Sequence, residues 1–69
     1  MNLLDRLSER ERAVIKLILK DCSTEQIAER LGISKKTVHS YRARAVIKFK
    51  VNDIWEVLAI VRENEEINK

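Results

Sequence analysis

Between Arg30 and Asn52 the chain carries seven basic side chains (Arg30, Lys35, Lys36, Arg42, Arg44, Lys48 and Lys50) and no acidic one. Met1 to Glu29 hold five basic and six acidic residues, and Asp53 to Lys69 two basic and five acidic. The formal net charge of +3 is therefore concentrated in mid-chain. A basic block between neutral and acidic ends suits a polyanion, because clustered ammonium and guanidinium groups attract phosphates and displace their counterions. A solvated lysine-rich helix face would show the same charge pattern. Interleaved with these cations stand His39, Ser40 and Tyr41, side chains that can hydrogen-bond a base edge or a phosphate.

Other chemistries lack their residues. With one cysteine, Cys22, and one histidine, His39, neither a disulfide nor an ordinary zinc site can be assembled within the chain. Cys22 reads as a small packing residue. No Ser-His-Asp, Cys-His or paired-carboxylate set has supporting context, and no glycine-rich phosphate loop is present. The chain is therefore expected to be neither an enzyme nor a cofactor carrier. No apolar run approaches the roughly 20 residues that span a bilayer, and the N-terminus lacks a secretory pattern. A soluble, cytoplasmic protein is expected.

Rigid elements must hold the basic groups in place. A chain of 69 residues with 45% hydrophobic and 36% charged content, one glycine and no proline predicts an all-α fold. Ser8 with Glu11 forms a capping box that opens a helix over about 9–20. Leu3, Leu4 and Leu7 can add a turn before it. Ser23 with Gln26 opens a second helix over 24–31, which Gly32 can close in a left-handed cap. Ser34 caps a third over about 35–50. Asp53 with Glu56 opens a fourth over about 54–64, and the polar tail to Lys69 is expected to fray. The joins are very short.

The second and third helices meet in a diagnostic window. A helix-turn-helix needs apolar residues at its wedge, a small residue where the helices approach, and a positive φ in the turn. Ile27, Leu31, Ile33, Val38 and Tyr41 supply the wedge, Ala28 is the small residue and Gly32 the turn. This window coincides with the acid-free block.

Taken together, these motifs resemble the LuxR-type (GerE-type) DNA-binding domain over about residues 7–62. The opening Leu7-Ser8-Glu9-Arg10-Glu11-Arg12-Ala13-Val14 is similar to the family's Leu-Thr-x-Arg-Glu-x-Glu-Val. Ser23-Thr24-Glu25-Gln26-Ile27-Ala28 matches its second helix. Leu31-Gly32-Ile33-Ser34-Lys35-Lys36-Thr37-Val38 resembles its Leu-x-Ile-Ser-x-x-Thr-Val string. Four positions depart from the pattern. Asp21 and Lys50 stand where glycine is common, Tyr41 where histidine is usual, and Ile54 where arginine is usual. The stretch from Val38 to Ala45 also resembles the recognition helix of sigma-factor region 4, but the fourth helix favours the LuxR type.

The resemblance implies a sequence-specific transcriptional regulator whose third helix enters the major groove of double-stranded DNA. Its base-contacting positions fall on His39, Ser40 and Ala43, with Lys36 beside them. Phosphate contacts are expected from Ser23 and Thr24 at the start of helix two, and from Lys35, Thr37, Arg42, Arg44 and Lys48. Tyr41 can donate its hydroxyl to a phosphate while its ring packs, or serve the core alone. No arginine fork is available for guanine, so moderate specificity with a large phosphate-borne share is expected.

Seven of the nine residues from Ile54 to Arg62 are apolar, too many for one stripe. Ile54, Val57, Leu58 and Val61 can face inward, which leaves Trp55 and Ala59 with Ile60 or Leu58 at the border. LuxR-type domains commonly dimerise through this helix. The resemblance therefore implies a homodimer with Trp55, Leu58, Ala59 and Arg62 at its interface, binding an inverted-repeat site. Trp55 folding back over the N-terminal segment is the other possibility. A small chain of this size buries only roughly 60% of its unfolded surface, which also favours a second subunit. A different class of function remains open: a module that acts on another regulator or on RNA polymerase. If the chain is complete, its activity would be set by its level or by a partner.

Overall fold

The computed structural model describes residues 3–67, with side chains described over 5–63. A 3-10 turn (Leu3–Arg6) precedes four helices: α1 (Glu9–Leu19), α2 (Thr24–Leu31), α3 (Lys35–Phe49) and α4 (Ile54–Ile67). No strand occurs among the described residues. The expected frayed end at Lys69 lies outside them.

The caps form where the side-chain chemistry allows. Ser8 Oγ accepts from the Glu11 amide at 3.2 Å, and Glu11 Oε1 accepts from the Ser8 amide at 2.9 Å. Ser23 and Gln26 repeat this exchange at 3.1 and 2.8 Å. Each exchange satisfies two amides that a helix start otherwise leaves bare. At α4 the expected box is displaced. Asp53 Oδ1 accepts from the Glu56 amide at 3.0 Å, but the Glu56 carboxylate reaches back to the Asn52 amide at 2.6 Å. The reciprocal bond is thus made one residue upstream of Asp53.

Three helix ends differ from the sequence expectation. The first helix stops at Leu19 and the third at Phe49, one residue early in each case, whereas α4 runs on to Ile67. The two early stops share a cause. Just past α1, Asp21 takes a left-handed φ of 62°, and just past α3, Lys50 takes 57°. Both residues stand where the resemblance expected glycine. The chain makes the turns regardless, at a local conformational cost of about 1–2 kcal/mol for a side chain with a Cβ. Gly32, with φ 65°, makes the corresponding turn after α2 without that cost.

Helix α3 packs against α1, α2 and α4 and is the centre of the domain. Two apolar clusters flank it. One joins Leu7 and Ile15 to Ala45, Phe49, Val57, Leu58 and Val61. The other joins Val14 to Ile27, Ala28 and Val38, with Leu31, Ile33 and Tyr41 packed around it. Ile18 of α1 touches both clusters. Burying each such aliphatic side chain is worth about 1.5–3 kcal/mol, so the two clusters hold both ends of α3. The first cluster also corrects one expectation: Leu58 is buried in the core and does not belong to an outer face of α4. Its spacing from Ile54 and Val61 puts it on their side of the helix, while Trp55 stays 73% exposed.

Candidate nucleic-acid interface

The elbow between α2 and α3 is built as the residue pattern requires. Ile27 and Val38 are buried at the wedge, Ala28 is buried where the helices approach, and Gly32 holds the left-handed turn. The Gly32 amide donates to Glu29 O at 3.3 Å, and the Ile33 amide to Ala28 O at 3.0 Å. A second tie comes from α1, where an Arg10 guanidinium nitrogen donates to Leu31 O at 3.3 Å. These bonds satisfy carbonyls at the end of α2 and fix the angle at which α3 leaves the turn.

With Val38 and Ala45 buried and Tyr41 half-buried, α3 presents an outer stripe of Lys36, His39, Ser40, Ala43, Arg44 and Ile47. All six are exposed, and no acidic side chain interrupts them along the helix. The stripe follows the three- and four-residue steps of one helix face, about 16 Å long at 1.5 Å per residue. It is cationic, narrow and rigidly backed, which suits the major groove.

Several of the expected contact groups already have partners. Ser40 Oγ donates to Lys36 O at 3.1 Å, so its proton is occupied and its lone pairs point outward as acceptors. The Thr37 and Ser34 hydroxyls share a hydrogen bond of 2.9 Å. The Arg44 guanidinium lies 5.6 Å from the centre of the Tyr41 ring, a cation–π contact that orients it along the helix. Lys35 Nζ is 3.0 Å from Glu25 Oε1 on α2. Lys48 Nζ is 2.6 Å from Glu11 Oε1 on α1. By contrast, the Lys36, His39 and Arg42 side chains make no hydrogen bond or ion pair among the described residues. At the start of α2 the cap uses the Ser23 hydroxyl and the Gln26 amide. The Thr24 and Glu25 amides there have no intrahelical acceptor.

Glu11, Glu25 and Arg10 are the groups that reading along the chain missed. Charge tallied by segment sees neither acid against the basic block, because each pair is closed through space. Glu11 is only 2% exposed. Burial pushes its carboxyl up, but the Lys48 ammonium and the Ser8 bonds outweigh that and hold it below the usual carboxylate range. The capping-box position of Glu11 was legible. Its burial was not.

Among the described residues no group of three or more His, Cys, Asp and Glu side chains could hold a metal. No helix there is long and apolar enough to cross a membrane.

Comparison with known proteins places this geometry. The profile of the family described as bacterial regulatory proteins, luxR family (GerE), matches residues 5–61. The chain belongs to that family. Its LuxR-type domain is a DNA-binding module of transcription regulators, with the four-helix GerE-type fold. It is 32% identical over 62 residues to the DNA-binding transcriptional activator EvgA of Escherichia coli K12, covering 90% of this chain and 30% of that protein. It is 33% identical over 61 residues to the transcriptional regulatory protein TdiR of Thauera aromatica, covering 88% of this chain and 27% of that protein. The solved structure of the transcription factor GerE superposes with a TM-score of 0.79 at 29% identity, over 84% of this chain and 87% of that one. The LuxR-type domain described here thus spans less than a third of the length of these curated relatives.

Proposed function

We propose that this LuxR-type domain regulates transcription by placing α3 in the major groove of duplex DNA. One observation carries the reading: the exposed stripe of Lys36, His39, Ser40, Ala43 and Arg44 on a helix that α1, α2 and α4 hold from behind. His39 donates to guanine N7 or O6. Ser40, with its proton held by Lys36 O, accepts from adenine N6 or cytosine N4. The Ala43 methyl meets a thymine methyl. Lys35, Thr37, Arg42, Arg44 and the α2 start at Ser23 and Thr24 bind phosphates and set the register. Tyr41 adds its hydroxyl at the edge of the groove, and Lys48 reaches a phosphate from its 39% exposed side.

The domain works as a homodimer through α4. Trp55, Ala59 and Arg62 are exposed there, and a tryptophan in water is the residue a partner surface would cover. Two-fold symmetry then gives an inverted-repeat site with half-sites one or more turns of about 10.5 base pairs apart.

A second reading has one observation in its favour. Ile47 is 72% exposed at the far end of the stripe, an apolar group suited to RNA polymerase or another regulator. Selecting bound fragments from a genomic library, followed by a salt titration, separates the two. DNA binding predicts enriched inverted repeats and an affinity falling steeply with salt. If Lys36→Glu with Arg44→Glu left the regulatory effect intact, the partner-contact reading would replace it.

A further inference from the structure

The acid-free block is acid-free only along the chain. Folding brings two carboxylates to it, and the two differ in kind. Glu11 is buried beneath Lys48 and belongs to the core. The Glu25–Lys35 pair is open to water, with side chains 76% and 60% exposed. An exposed pair of this sort adds about 0–1 kcal/mol to stability, so the fold does not depend on it. Its position gives it another effect. Lys35 is the first residue of α3, and Glu25 lies in the first turn of α2, two residues past the Ser23 cap. The pair thus joins the starts of the two helices on which the proposed phosphate contacts Ser23, Thr24 and Lys35 stand.

We infer that Glu25 is an intramolecular competitor for the DNA backbone: it occupies the Lys35 ammonium in the free domain and must release it when phosphate arrives. This rests on the DNA-binding reading above. The carboxylate stands in for a phosphate oxygen at 3.0 Å from Nζ and adds a negative charge where the polyanion approaches. Binding then gains one lysine–phosphate contact but loses one lysine–carboxylate contact. Lys35 therefore adds little to non-specific affinity, and the sequence-reading residues His39, Ser40 and Ala43 carry a larger share of the total. Glu25 thus tunes the phosphate-borne affinity common to all sequences without touching a base.

The test is a double-mutant cycle read by fluorescence anisotropy on a random-sequence duplex of about 20 base pairs, two helical turns. Glu25→Gln is expected to bind about 3- to 10-fold tighter at low salt, with a log–log salt slope little changed, because Lys35 meets a phosphate in both proteins. Glu29→Gln, one turn along the same helix with no lysine partner among the described residues, controls for the loss of a negative charge. It should gain less. In a Lys35→Gln background the Glu25→Gln gain should shrink to that of Glu29→Gln. Equal gains for Glu25→Gln and Glu29→Gln, or a full gain retained without Lys35, would overturn the competitor role while leaving DNA binding in place. A wild-type domain with no salt-dependent affinity for the duplex would overturn both. The substituted groups are exposed, and far-ultraviolet circular dichroism is the check that each variant is folded.

Discussion

The Lys48 ammonium lies 2.6 Å from the buried carboxylate of Glu11, tying the last turn of α3 to the first turn of α1. The bond crosses 37 residues of sequence. It neutralises a carboxylate that the core would otherwise hold unpaired, and it anchors α3 at the end away from the elbow.

Removing the ammonium should therefore destabilise the domain. Lys48→Met keeps the aliphatic stem and leaves Glu11 with the Ser8 amide alone. A loss of about 1–3 kcal/mol is expected, below that of a fully buried pair because Lys48 is partly in water. Urea unfolding at neutral pH measures it. The pH dependence has a definite sign. The Glu11 pKa is lowered in the folded state, so its contribution is complete above the ordinary glutamate value of about 4.3. It fades as pH falls through the lowered value. Glu11→Gln should flatten that acid limb, and an unchanged limb would refute the assignment.

Two turns carry a removable cost. Asp21 and Lys50 both hold left-handed φ values. Lys50→Gly should raise stability by about 0.5–1 kcal/mol, the relief of the Cβ penalty less the extra freedom glycine has when unfolded. Asp21→Gly should gain less, since aspartate tolerates this region better than lysine. Gly32→Ala should lose about 1 kcal/mol from φ alone, because nothing lies within 4 Å of the added Cβ. Thermal unfolding of the three variants ranks them.

Trp55 and Val57 are two residues apart and should behave oppositely. Val57→Ala empties a fully buried position and should cost roughly 1–3 kcal/mol. Trp55→Ala should leave monomer stability nearly unchanged but abolish self-association. Sedimentation as a monomer alone at high micromolar concentration, for the unaltered domain, would exclude the dimer.

On the exposed stripe of α3, Lys36→Gln and His39→Ala should separate affinity from preference if it enters the major groove as proposed. Losing the lysine should weaken binding to every duplex and reduce the salt slope by about 0.9. Losing the imidazole should cost on the order of 1 kcal/mol on the preferred sequence and little elsewhere. Competition binding against variant half-sites reads the difference.

Much of this protein was legible in one dimension, because the signals concerned are local. A serine three residues ahead of a glutamate or glutamine, before a run of helical apolar period, marks a helix start, and Ser8 and Ser23 are such caps here. The wedge residues Ile27, Ala28 and Val38 and the turn at Gly32 obey steric rules that act within about twenty residues. The outward side of α3 followed from helical period once Val38 was known to be buried. The fourth helix was harder: its apolar excess was plain, but whether Leu58 or Ile60 lay inside depended on the rotation of α4 against α3.

Sequence alone thus determined the four helices, the elbow and the cationic stripe, since propensity, capping and period are properties of neighbouring residues. Tertiary structure decided which acids meet which lysines. Glu11 and Glu25 lie 37 and 10 residues from their partners, and only packing sets those distances. It also decided that Asp21 and Lys50 would accept a left-handed turn, because the helices they join must pack on one core whether or not glycine is there.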